Sequence, residues 1–211
     1  SGANLSGANL SGANLSGADL TNAKLYGTDL SGSSLENADL SGAGIEGANF
    51  SGAYMIKVIL DEINLEGANF SGVHMSGQKL LDKNLKNINF QNAVLLDANF
   101  ERSDLTNANL DSAYLGLANF RESNLTSVSL KNTDLGAADL TNADLSEAVI
   151  QNSYFKNAKL SGVVTKNLKS DSCFEQDIFN KIICKISFEL NPDSPPYESN
   201  YELRNNYSLR G

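Results

Sequence analysis

The chain offers few groups able to do chemistry: one histidine, two cysteines and twenty-five carboxylates in 211 residues. His74 could act as a general base or a metal ligand, yet no Ser, Cys or carboxylate is fixed beside it as a triad or dyad requires. It reads as a surface residue. A metal site needs several converging ligands, and neither Cys173 nor Cys184 belongs to a paired-cysteine motif that would supply them. Carboxylate pairs that do acid–base work need one member in a desolvated site, whereas the aspartates here recur at positions that the chain's own pattern turns outward. The glycines also recur at a fixed interval and form no phosphate-binding loop. No catalytic residue, no cofactor and no metal site is therefore expected.

The net charge is −9, Trp is absent and only 3 prolines occur. An acidic balance argues against direct nucleic-acid binding, since that depends on basic groups facing phosphates. No apolar run reaches the length of a membrane helix and no signal-peptide pattern opens the chain. The protein reads as soluble, with its compartment open between cytoplasm and secretion as part of a larger protein. It starts at Ser1, already in repeat register, so the N-terminus is expected to be processed, truncated or engineered.

Residues 1–160 divide without insertion into units of five, beginning SGANL, SGANL, SGANL, SGADL, TNAKL, YGTDL. The fifth position is always Leu, Phe, Ile or Met, and the third is usually Ala, Ser, Thr or Val. A helix would smear a five-residue period around its circumference, so the helical reading fails. In extended backbone, positions three and five share one face and the polar fourth position points the other way. Ser-Gly, Thr-Asn, Lys-Asn and Glu-Gly at the first two positions turn the chain. Each unit is thus a short strand and a corner.

The motif A-(N/D)-(L/F)-(S/T)-(G/N), sustained over residues 1–160, resembles the signature of the pentapeptide-repeat family. That resemblance implies an all-β fold, a right-handed quadrilateral parallel β-helix with four units per coil and about eight coils. Residues twenty apart then stack in columns. One column carries Phe50, Phe70 and Phe90 followed by Leu110, Leu130 and Ile150; another stacks Phe100 on Phe120. The third position is small because a narrow tube at interior density cannot hold two large residues from every wall. Gln78 and Lys83 break this rule in consecutive units. A local bulge that swings both side chains outward is expected there, displaying Lys79, Leu81 and Lys83, because unpartnered polar groups inside would cost too much.

Residues 161–190 lose the frame and form a capping segment. Apolar residues at 174, 178, 179, 182, 183 and 186 have helical spacing, with Asp171 or Ser172 available as N-cap, so the segment predicts an amphipathic helix closing the last coil. Cys173 and Cys184 would then lie about 16 Å apart along it, too far for a disulfide. Residues 191–211 read as an extended polar tail or linker.

Sorting outward residues by column isolates a stripe: Tyr54, His74, Val94, Tyr114 and Tyr154 share one wall, and Ile56, Leu96 and Leu117 line its adjoining corner. Such a composition on a polar rod is that of an interaction site. A rim of Asp134, Asp139 and Asp144 surrounds one coil. The family resemblance also implies DNA-mimicking inhibitors of type II topoisomerases such as gyrase. Yet residues 1–160 hold 18 acidic and 10 basic groups, a net of −8, against roughly 22 phosphate charges on a comparable ~38 Å of duplex. The favoured expectation is a non-enzymatic scaffold that binds a protein partner or pairs with a second copy through the stripe or an open coil end. It would be part of a larger bacterial effector or multidomain protein. The identical opening units also fit an engineered, consensus-extended scaffold.

Overall fold

The computed structural model describes residues 1–170, together with the backbone of two short strands at 174–176 and 182–184. Fourth-position residues pair in parallel at twenty-residue steps, as in Asn9↔Asp29↔Asn49↔Asn69↔Asn89↔Asn109. Four such columns define four faces: A through Asn4 and Lys24, B through Asn9 and Asp29, C through Asn14 and Ser34, and D through Asp19 and Asp39. Where pairing is longest, face B contains β1 (Ser129–Lys131), β2 (Val149–Gln151) and β3 (Lys169–Ser170), in that order and parallel.

Each corner is a tight turn. The third-position amide donates back to the fifth-position carbonyl before it, as from Ala8 to Leu5 at 3.0 Å, which forces positive φ on the second residue. Asn tolerates this conformation, and Asn22 adopts it at φ 55°. Leu117 adopts it too, at 65°, without the compensating side-chain chemistry.

Third and fifth positions line the tube. Phe50 stacks on Phe70 at 5.1 Å and Phe100 on Phe120 at 4.8 Å, both nearly coplanar, and Phe90 bridges the two stacks. Polar third positions are accommodated by one device: their donors meet the fifth-position carbonyls. Thr28 Oγ1 donates to Leu5 O at 2.8 Å and Thr133 Oγ1 to Leu110 O at 2.9 Å, each one coil away, and Ser33 Oγ donates to its own turn at Leu30 O. Ser103 and Ser153 donate to Leu80 O and Leu130 O in the same way.

Donation to a backbone carbonyl also corrects the expected bulge at Gln78 and Lys83, although the acceptor for Gln78 is a third-position carbonyl. Gln78 points inward, is only 6 % exposed and donates Nε2 to Val58 O at 2.9 Å. Lys83 is half-buried and sends Nζ to Leu60 O at 2.8 Å. What opens instead is the ladder beside them. Among the described residues no bridge joins Ile59 to Lys79, Gly44 to Asn64 or Asn64 to Asn84, and the amides of residues 57, 58 and 60–68 donate to no backbone carbonyl. Gly47 donates to Gly67 O, twenty residues on, where Gly42 and Gly52 reach nineteen residues on. Six third positions here, Val58, Ile63, Val73, Gln78, Lys83 and Ile88, exceed Ala in volume. Overfilling the tube pushes the coils apart on faces D and A, and the long polar side chains then reach the freed carbonyls.

Two further differences appear at the C-terminal end. The winding passes residue 160: Lys159, Val164 and Lys169 continue the pairing on faces D, A and B. The units SGVVT and KNLKS retain corner residues and an apolar third position, although Thr165 and Ser170 replace the large fifth residue. In place of the expected helix over 174–186 the backbone forms β4 (Phe174–Gln176) and β5 (Ile182–Cys184), paired antiparallel with Glu175 opposite Ile183. Short apolar runs are ambiguous between helix and strand, and the β-branched pair Ile182 and Ile183 tips this one toward extended backbone. The rest of that segment and the tail at 191–211 lie outside the described residues.

Candidate interaction surface

The fourth position has a structural task on most of the rod. Its side-chain oxygen accepts the amide two residues on and so caps the corner, as from Thr21 to Asp19, Thr106 to Asp104 and Thr126 to Asn124. Face B adds a ladder of carboxamides: Asn49 donates to Asp29, Asn69 to Asn49 and Asn89 to Asn69, at 3.2, 3.1 and 3.2 Å.

Face C departs from this scheme. The column runs Ser34↔Tyr54↔His74↔Val94↔Tyr114↔Asp134↔Tyr154. In five of these coils the capping oxygen is replaced by a ring or an isopropyl group. No hydrogen bond reaches the amides of Ile56, Ser76, Leu96 or Gly116 within the described residues, and Ser76 Oγ is buried without a partner.

The structure brings the eight expected stripe residues together, though unequally exposed. Tyr54 and Leu117 are 41 % and 48 % exposed, while Val94 and Leu96, at 6 % and 9 %, form a floor. Ile56, His74, Tyr114 and Tyr154 are half-buried. His74 stacks on Tyr54 with ring centroids 4.5 Å apart, and its burial holds the imidazole pKa below the usual histidine value. Asp134 interrupts the stripe between Tyr114 and Tyr154. The Tyr154 ring lies over Gly136, where an added Cβ would sit 3.1 Å from Cε1.

The acidic rim does not converge. Asp134, Asp139 and Asp144 occupy faces C, D and A, and each caps its own corner by accepting from Gly136, Thr141 and Ser146. Burial pushes the Asp139 pKa up, but hydrogen bonds from Thr141 and the Lys159 ammonium outweigh it and hold the carboxyl at about 2. Other carboxylates are similarly engaged: Asp82 with Arg102 at 2.8 Å and Asp104 with Lys86 at 3.2 Å. Among the described residues no group of His, Cys, Asp and Glu is arranged to hold a metal, and no helix is long and apolar enough to cross a membrane.

Three exposed apolar residues escaped sequence reasoning: Ile59, Tyr26 and, near the C-terminal end of the described rod, Val164. Ile59, 43 % exposed, follows Tyr54 and Ile56 in the loosened coil but falls in the face D column. Tyr26, 47 % exposed, is a first-position residue whose ring crosses Gly44. Four apolar residues among the five of IKVIL was the available signal for Ile59.

A family model described as pentapeptide repeats matches residues 1–37, 33–72, 48–80, 84–122 and 123–162 in 8 copies. The gap at 81–83 contains Lys83. The chain is similar to HetL, a protein of the cyanobacterium Nostoc sp. strain PCC 7120 involved in heterocyst differentiation regulation, with 29% identity over 78% of this chain and 77% of that one, and a TM-score of 0.50. It is also similar in fold to a trypsin-treated form of QnrB1, a plasmid-mediated fluoroquinolone resistance protein, at 19% identity over 80% of this chain and 90% of that one, with a TM-score of 0.58. No curated protein matches the chain.

Proposed function

The chain belongs to the pentapeptide-repeat family, whose fold is a right-handed quadrilateral β-helix, and from that premise we propose a non-enzymatic module that binds a protein partner along face C. The observation that carries this reading is the exchange of corner caps for Tyr54, His74, Val94, Tyr114 and Tyr154 in one column. A capping hydrogen bond is worth about 0.5–1.5 kcal/mol, so the column gives up corner stabilisation in coil after coil and keeps a surface of rings. Aromatic residues of this kind anchor protein interfaces.

The test is a combined Tyr54→Asp, Tyr114→Asp and Leu117→Asp variant of the full chain, with circular dichroism confirming the fold. Loss of partner recovery from the native host with an intact melting transition is the expected result. Undiminished recovery and unchanged oligomeric state would end the reading. DNA mimicry is separated by a gyrase supercoiling assay. The carboxylates engaged at corners and with Lys86, Arg102 and Lys159 weaken the phosphate-like field, so the rod should leave gyrase uninhibited at low stoichiometry.

A further inference from the structure

The described winding runs out at Lys159, Val164 and Lys169, the last paired residues of faces D, A and B. The mouth of the tube there differs from the lining one coil earlier. We propose that residues 171–190 fold back over this mouth as an intramolecular plug, their apolar residues filling it and their carboxylates beside the lysines that ring it. The plug is independent of the reading of face C.

Burial of the lining changes abruptly at this end. Leu140, Ala143 and Ala148 are fully buried. Their counterparts twenty residues on, Leu160, Val163 and Leu168, are only half-buried, and Val164 is 49 % exposed. Apolar surface of this kind gains about 25 cal/mol per Å² from whatever covers it.

Volume inside the mouth points to a plug that enters it. Fifth positions hold Leu, Phe, Ile or Met through residue 160, and then Thr165 and Ser170. These shorter side chains leave the centre of the last coil short of the density at which interiors pack. The chain itself supplies Phe174, Ile178 and Phe179 next, and only residues 171–173 separate β3 from β4.

Charge selects this segment over a second copy. Residues 148–170 contain Lys156, Lys159, Lys166 and Lys169 and no Asp or Glu. Lys159 meets Asp139 at 3.1 Å, whereas the other three lysines are exposed and make no ion pair among the described residues. Residues 171–190 carry Asp171, Glu175, Asp177 and Glu189 against Lys181 and Lys185, the opposite balance, tethered beside the ring. A second copy meeting this end across a two-fold axis would present the same surface, and so oppose lysine to lysine.

The full chain in a Cys173→Ser background, which leaves Cys184 as its one thiol, tests the plug from both sides. On the rod side, amide exchange over 155–170 should quicken about tenfold in Ile183→Asp and stay unchanged in Tyr207→Asp, with exchange over 100–140 unaltered in both. On the segment side, Lys166→Glu combined with Lys169→Glu should speed the reaction of Cys184 with a water-soluble thiol reagent about tenfold at low salt. A residue that matters only to its own surroundings would not move the readout on the other side. Unchanged exchange over 155–170 in Ile183→Asp, or unchanged Cys184 reactivity on charge reversal, would overturn the plug. A dimer in sedimentation that Ile183→Asp dissolves would overturn it as well, and assign the mouth to a second copy.

Discussion

Two stretches of this rod share one five-residue frame and differ in how the coils hold each other. Over residues 86–160 every fourth position meets its partners twenty residues away. At 56–67 the bridges survive on faces B and C, through Asn49↔Asn69 and Tyr54↔His74, and are missing on D and A. Both stretches have large apolar fifth positions. They differ at the third, where the regular coils hold mostly Ala, Ser and Thr and the loosened one holds Val58 and Ile63 above Gln78 and Lys83. Period alone sets the direction of the winding, then, and the volume of the lining sets whether neighbouring coils close.

The largest expected effect contrasts the two linings directly. Phe100→Ala removes a fully buried ring stacked on Phe120 and should destabilise by about 3–5 kcal/mol. Ile63→Ala, in the overfilled coil, should cost less than about 1 kcal/mol or stabilise, because it relieves crowding. Urea midpoints for both variants decide the matter; a similar loss at both sites would refute the crowding account.

The next effect concerns the inserted donors. Lys83→Met keeps the stem and removes the ammonium that meets Leu60 O. Leaving that carbonyl unmet should cost about 1–3 kcal/mol, with faster hydrogen exchange confined to 57–68 and none gained over 100–140. Exchange that quickens along the whole rod would show that the two stretches unfold as one.

Acid should narrow the difference from the other side. The folded Asp139 carboxyl titrates at about 2, against an ordinary value of 3.8. A depressed folded pKa gives stability that is present above the unfolded value and is lost as pH falls from about 4 toward 2, a contribution of order 1–2 kcal/mol. Asp139→Asn retains an acceptor for Thr141 and loses the attraction of Lys159. It should flatten the acid-unfolding profile in that window.

Much of this was legible in the residues, and the failures have specific causes. The period predicted the coil, the Phe stacks and the stripe, because a twenty-residue column follows from the frame by counting. The inward course of Gln78 and Lys83 was hidden because its acceptors, Val58 O and Leu60 O, belong to the preceding coil and are backbone groups present at every position. Ile59 was missed because column sorting assigns it to face D, although the same coil carries Tyr54 and Ile56. At 174–186 the apolar spacing suited a helix, and only the pairing of β4 with β5 distinguishes the extended alternative.

The smallest effect tests whether corner strain, rather than tube volume, opens the loosened coil. Lys57 and Leu117 occupy the same corner column, one in each stretch, at φ 55° and 65°, where a non-glycine side chain costs about 1 kcal/mol. Glycine at either position should raise stability by up to about 1 kcal/mol, since strain of this kind is local and similar at both. Lys57→Gly should leave exchange at 57–68 as fast as before, because the third-position side chains still fill the tube. Restored protection there would transfer the cause from lining to corner. Leu117→Gly adds a second reading of the same experiment: the fold gains while an exposed stripe residue is lost. A variant that melts higher yet binds its partner more weakly would show that Leu117 is retained on this corner for contact and against the preference of the turn.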